Sequence, residues 1–167
     1  MHLINPEVLQ VIAPFEDVII RTVCRLLIPF IQLYGLYVIA HGAESPGGGF
    51  QGGVILGASF ILLSLAYDVD EVRKRVGEKR NLIFCSVGLL IYSGIGAVCL
   101  ALGGNYLNYS RLHHLLPVDP VYARALGIFG IEVGVGITVM AVMVSIFFDL
   151  ASKPEDQGEM TSLGMDR

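Results

Sequence analysis

Charged residues are scarce in this sequence. Only 16% of its 167 residues are Asp, Glu, Lys or Arg, whereas 54% are hydrophobic, and the mean hydropathy is +0.67. Because soluble domains carry about 25% charged residues, this composition excludes an ordinary soluble domain and predicts an integral membrane protein. The formal net charge is -4 and no basic face is apparent, which argues against nucleic-acid binding.

Cysteine is also scarce and forms no metal-binding pattern. Cys24, Cys85 and Cys99 are far apart in the sequence, so we expect them to pack as small apolar side chains. The adjacent His113 and His114 point to different faces of a helix and make a poor metal pair. The sequence therefore predicts no cofactor or metal site in this chain, and no catalysis by the chain alone.

Four apolar runs are long enough to cross a bilayer, which takes about 20 residues. They predict an all-α integral membrane protein with four transmembrane helices. Before them lies a short amphipathic stretch that contains two prolines and no Lys or Arg, and we expect it to lie at the interface rather than to form a cleavable signal. The predicted spans are 18–40, 50–67, 82–102 and 125–148, and the predicted units are 1–17 (interfacial), 18–149 (transmembrane) and 150–167 (polar tail).

The distribution of basic residues predicts the orientation. The polar loop 68–80 holds five Lys and Arg residues, whereas the loop 42–49 holds none. The positive-inside rule then places both termini and the 68–80 loop in the cytoplasm of a multi-pass plasma-membrane protein. Arg21 and Arg25, near the start of the first span, either snorkel to lipid headgroups or, for Arg25, pair with a carboxylate of another subunit.

A glycine-rich stretch joins the first two spans. Pro46 and the three glycines after it predict a sharp turn that enters a helix. Gly49, Gly53 and Gly57 are spaced by four residues, so they form one ridge on which a neighbouring helix can pack closely. A phosphate-binding loop is the alternative, but no Gly-Lys-Ser/Thr follows and no strand precedes the glycines.

Glu132 is the only acidic residue well inside a predicted span. A carboxylate at that depth must be protonated, paired or hydrated, which makes Glu132 either a proton or cation relay or one half of a static bond. Gly130, Gly134 and Thr138 share another face of the same helix, so we expect this ridge and Glu132 to meet different neighbours. His41 is a candidate for the outer end of the path, with an ordinary interfacial histidine as the alternative.

The glycine-rich stretch resembles the signature of the B subunit of Mrp-type multisubunit sodium/proton antiporters. Equivalent subunits belong to membrane-bound hydrogenase-type respiratory complexes, and the resemblance extends more loosely over about residues 20–148. Ala43 stands where many relatives have histidine, so no role of that histidine is carried over. The residues of the signature in this sequence are Pro46, Gly47, Gly48, Gly49, Phe50, Gly52 and Gly53.

The resemblance implies an accessory membrane subunit that scaffolds a Na+/H+ antiporter and contributes to a cation or proton path. Its partners would be the other membrane subunits, the lipid bilayer and the transported Na+ and H+. Two alternatives remain open: the same subunit within a redox-driven ion pump of the hydrogenase type, or a purely structural assembly subunit.

Overall fold

The chain is a bundle of long helices. The computed structural model describes residues 6–44, 46–67 and 69–151, with side chains from residue 18 onward except that of Asp70. Four helices are long and apolar enough to cross a membrane, and the described residues contain no strand, so the predicted all-α fold with four spans is confirmed. The elements are α1 (Pro6–Ala40), α2 (Gly49–Tyr67), α3 (Val69–Val76), α4 (Glu78–Ala101), a 3-10 helix (Tyr109–His114) and α5 (Pro120–Ala151).

Helix α5 is the centre of the bundle. It packs against α1, α2 and α4, whereas α4 contacts neither α1 nor α2 within the described part of the chain. Helices α2 and α5 run in the same direction, because Gly49 lies against Glu132 and Gly57 lies against Met143. The outer faces of α1 and α4 expose many large apolar side chains, as expected for surfaces that meet lipid or other subunits.

Glycine ridges bring the helices into backbone contact. A Cβ added to Gly53 would lie 2.6 Å from the Gly136 carbonyl oxygen of α5, and one added to Gly88 of α4 would lie 2.7 Å from the Gly134 carbonyl oxygen. Gly130, Gly134 and Thr138 all lie against α4, while the ridge that begins at Gly49 lies against α5. The prediction that both ridges serve close helix packing is confirmed.

The two ends of the bundle extend past the predicted boundaries. Helix α1 is continuous from Pro6 through residue 17, so no break separates the predicted interfacial unit from the first span. Its placement at the interface stays a prediction. Helix α5 begins at Pro120, because proline fits the first turn of a helix, and it continues to Ala151. The predicted tail from residue 152 onward lies outside the described residues.

The connection after α4 folds back over two helix ends. The ring of Tyr106 lies against Gly96 of α4, and Tyr109, the first residue of the 3-10 helix, lies against Gly127 of α5. Burial is the main reason that the pKa of the Tyr109 hydroxyl is raised above its ordinary value, so this side chain stays neutral. The connection therefore closes the end of the α4–α5 pair.

The prediction of a loop over residues 68–80 is wrong for residues 69–76, which form α3. Val72 and Val76 lie one turn apart on its buried side, where they pack near Val144 and Phe148 of α5. Charged side chains flank this apolar side, with a salt bridge of 2.6 Å between Arg75 and Glu71 and another between Arg73 and Glu78, the first residue of α4. Together with Val69, these valines form an apolar side with helical spacing that packs this short helix against the bundle.

A buried amide fastens α4 to α5. Asn81 is 7% exposed, and its Nδ2 donates to the Ala141 carbonyl oxygen at 2.8 Å and to Ser145 Oγ at 2.7 Å. We expect Asn81→Ala to lower the stability of the α4–α5 pair by about 1 kcal/mol, because both hydrogen bonds are lost. Thermal unfolding of this chain within its detergent-solubilised complex measures the change. Ser86→Ala is the control, since Ser86 is an exposed residue on the same helix; equal melting of the two variants would contradict the prediction.

Candidate functional site

The site is built on Glu132 of α5. Glu132 lies 12 residues after Pro120, the first residue of the helix, which is about 18 Å along the helix axis. Its side chain is partly buried. The connection between α1 and α2 contacts α5 at Glu132. The part of α5 that precedes Glu132, and the end of α4 that packs beside it, therefore extend well beyond that connection.

A tight turn shapes the connection. After α1 ends at Ala40, the Gly42 N–H donates to the Ile39 carbonyl oxygen at 3.3 Å and the Glu44 N–H donates to the His41 carbonyl oxygen at 3.1 Å. A Cβ on Gly42 would lie 2.9 Å from the Gly48 Cα and 3.2 Å from the Glu132 Cδ. Glycine is therefore needed at position 42 for the two ends of the turn to close around the carboxylate.

The glycines at the start of α2 allow the Glu132 carboxylate to reach the backbone of that helix. The N–H of Gly49 donates a hydrogen bond to Glu132 Oε2. A Cβ on Gly48 would lie 2.8 Å from the Glu132 Cδ, and a Cβ on Gly49 would collide with the Glu132 carbonyl oxygen. A side chain at position 48 would displace the Glu132 carboxylate, whereas one at position 49 would push the backbone of α5 away from α2.

The beginning of α2 is an electrostatically favourable place for a carboxylate. The first N–H groups of a helix have no partner within the helix and carry the positive end of its dipole. Glu132 supplies an acceptor there, and none of the described Lys, Arg or His side chains forms a salt bridge with it. The backbone of α2, rather than a basic side chain, is the partner of this intramembrane acid.

The carboxylate borders an open cleft of about 440 Å³. This volume is large compared with the roughly 30 Å³ that one water molecule occupies in the liquid. Among the described residues of its wall, Glu132 and Gln51 contribute the only polar side chains. The residues that line it are Gly42, Pro46, Gly47, Gly48, Gly49, Phe50, Gln51 and Glu132.

The structure unites two features that the sequence presents separately, the glycine-rich signature and Glu132. Five signature residues, Pro46 to Phe50, line the cleft. The other two hold the helices: Gly52 packs against Gly35 and Ile39 of α1, and Gly53 packs against α5.

His41 lies beside the cleft and does not line it. The side chain is exposed, and its ring stacks on Tyr37 with the ring centroids 4.1 Å apart. Two wall residues, Gly42 and Gln51, were missed by the sequence analysis. Gln51 had a usable signal, because it is the only polar side chain between Pro46 and Gly53.

The sequence matches a known family over most of its length. The sequence model of the family described as "Domain related to MnhB subunit of Na+/H+ antiporter" covers residues 19–145. This range includes both the glycine-rich connection and Glu132.

Individual relatives agree with this match. Proteins named "Putative antiporter subunit mnhB2" from Staphylococcus aureus strains Newman and JH1 are each 29% identical to this chain over 137 residues. Those alignments cover 81% of this chain and 95% of each relative. The chain thus belongs to the family of proteins related to the MnhB subunit of Na+/H+ antiporters.

Proposed function

We propose that this chain is an accessory membrane subunit of a multisubunit Na+/H+ antiporter, in which it scaffolds neighbouring subunits and contributes Glu132 to a cation or proton path. The observation that carries the proposal is the position of Glu132 at the wall of an open cleft, next to the first amide of α2. A carboxylate in that position meets water and ions while a helix end stabilises its charge.

One carboxylate does not make a complete path across a membrane. Transport routes contain several ionisable groups in sequence, and Glu132 is the only acid well inside a span of this chain. The remaining groups therefore belong to partner subunits. The exposed apolar faces of α1 and α4 offer surfaces where those partners pack.

The proposal includes a direction. With both termini in the cytoplasm of a plasma-membrane protein, the cleft opens toward the outer side, because it lies at the connection that carries no Lys or Arg. His41 is exposed and directly precedes Gly42 of the cleft wall, which supports a role for it on the outer approach to Glu132.

A static role for Glu132 is the second candidate. The hydrogen bond from Gly49 to Glu132 ties α2 to α5, and such a tie stabilises a bundle whether or not ions move. In that case the chain is purely an assembly subunit. The two candidates differ in whether the negative charge of Glu132 is needed after assembly.

Isolation of the intact complex tests the proposed function. The membrane is solubilised gently, the complex is captured through a tag at the C-terminus, and its subunits and metal content are identified, with untagged membranes as the control. We expect large many-helix membrane subunits and no nickel or iron, since we propose an antiporter driven by an ion gradient and not by electron transfer. Co-purifying nickel–iron or iron–sulfur proteins would contradict a stand-alone antiporter and would support a redox-driven pump.

A further inference from the structure

A second and larger cavity lies at the other end of the bundle. It has a volume of about 800 Å³ and is lined by residues of all five α-helices. The cavity exists because α2 and α4 both pack on α5 without contacting each other. Its walls are mainly apolar and include Phe60, Leu63, Phe84, Met140 and Val144.

Three arginines from three different helices line the same cavity. Arg25 of α1 donates through Nε to the Tyr67 hydroxyl at 2.9 Å. Arg80 of α4 donates to the carbonyl oxygen of Arg75, and Arg75 itself pairs with Glu71 at 2.6 Å.

The charges at this cavity do not cancel. Glu71 offsets Arg75, but no described carboxylate forms a salt bridge with Arg25 or Arg80. Both arginines are exposed. Two positive charges therefore remain beside an apolar cavity among the residues whose side chains are described.

We propose that this cavity binds one anionic phospholipid, with the phosphate between Arg25 and Arg80 and an acyl chain along the apolar wall. Arginine binds phosphate through paired N–H donors, and basic residues next to membrane helices attract anionic headgroups. A free phosphate ion would leave the apolar wall unused, so the combination of charge and apolar surface selects a lipid. With the predicted orientation, the lipid belongs to the cytoplasmic leaflet.

Native mass spectrometry of the intact, delipidated complex tests this inference. The complex is titrated with phosphatidylglycerol and, separately, with phosphatidylcholine of the same acyl chains. We expect preferential binding of one phosphatidylglycerol for each copy of this chain. Equal binding of the two lipids would overturn the proposal, and this comparison needs no variant to assemble.

Substitutions then locate the site. The double variant Arg25→Gln/Arg80→Gln should bind phosphatidylglycerol about thirtyfold more weakly, since each basic residue contributes about a fivefold gain. The matched control Lys74→Gln/Lys79→Gln also removes two positive charges, from exposed residues that do not line the cavity. An equal loss of phosphatidylglycerol affinity in both double variants would show a diffuse electrostatic effect and would overturn the proposed site.

Two further outcomes would also overturn the proposal. Displacement of the lipid by soluble glycerol phosphate at lipid-like concentrations would show an anion site that does not use the apolar wall. Cross-linking of Phe84→Cys to a helix of another subunit, with no lipid bound to the wild-type complex, would show that a protein partner fills the cavity. If glycerol phosphate does not displace the lipid, Phe84→Cys does not cross-link to another subunit and phosphatidylglycerol binds preferentially, the proposed lipid site is supported.

Discussion

Replacing Glu132 by glutamine should lower Na+/H+ exchange by the intact complex about 100-fold or more, while the complex still assembles. Glutamine has nearly the same shape, and its amide oxygen can accept the hydrogen bond that the Gly49 N–H now donates to the carboxylate. It cannot take up a proton or carry a negative charge. General acid–base groups in enzymes contribute a factor of about 10² to 10⁴ to a rate, and we expect a loss of that order for a proton relay.

Exchange is measured in everted membrane vesicles as the change in a pH-sensitive dye after sodium is added, and the amount of assembled complex is measured in the same vesicles. Asp149→Asn is the matched control, because Asp149 is an exposed carboxylate at the end of the same helix. Undiminished exchange by Glu132→Gln would reject the relay and leave the static role. Glu132→Ala, which also removes the hydrogen bond, then shows how much assembly depends on that bond.

Gly49→Ala should remove most of this chain from the assembled complex. The added methyl group would collide with the Glu132 carbonyl oxygen, which belongs to the backbone of α5 and cannot rotate away. Overpacking of this kind typically destabilises a protein by about 1 to 3 kcal/mol, and here the displaced helix also pulls the carboxylate from its amide partner.

The comparison variant is Gly94→Ala. Gly94 lies within α4, and a Cβ added there would meet nothing within 4 Å, while alanine is favoured over glycine in a helix. Quantifying this chain in the purified complex should show a strong loss for Gly49→Ala and none for Gly94→Ala. Normal amounts of Gly49→Ala would mean that α2 and α5 are not in backbone contact at this position.

The fold could be predicted from the sequence because its signals are local. Long apolar runs indicate the spans, and glycines four residues apart indicate which side of a helix is bare. Helix α3 was missed because only three valines, Val69, Val72 and Val76, indicate its buried side, and they stand among charged residues typical of a loop. Its packing depends on α5, which lies far away in the sequence.

The site could be predicted only in part. The sequence indicates that Glu132 needs a partner, but the partner is a backbone amide, and every residue other than proline has one. Only the fold determines that Gly49 supplies it. The partner of Arg25 could not be predicted for a similar reason. Its side chain donates to the Tyr67 hydroxyl, 42 residues away, and no local sequence pattern indicates that contact.

The order of synthesis has a consequence for the bond between α2 and α5. Gly49 is made 83 residues before its acceptor Glu132, and ribosomes add about 5 to 20 residues per second. The N–H of Gly49 is therefore synthesised about 4 to 17 s before its acceptor. An unpaired N–H in hydrocarbon is unfavourable by several kcal/mol. Until α5 is inserted, water or the insertion machinery must therefore satisfy the N–H groups at the start of α2. Insertion of the last span then completes the packing of the first two.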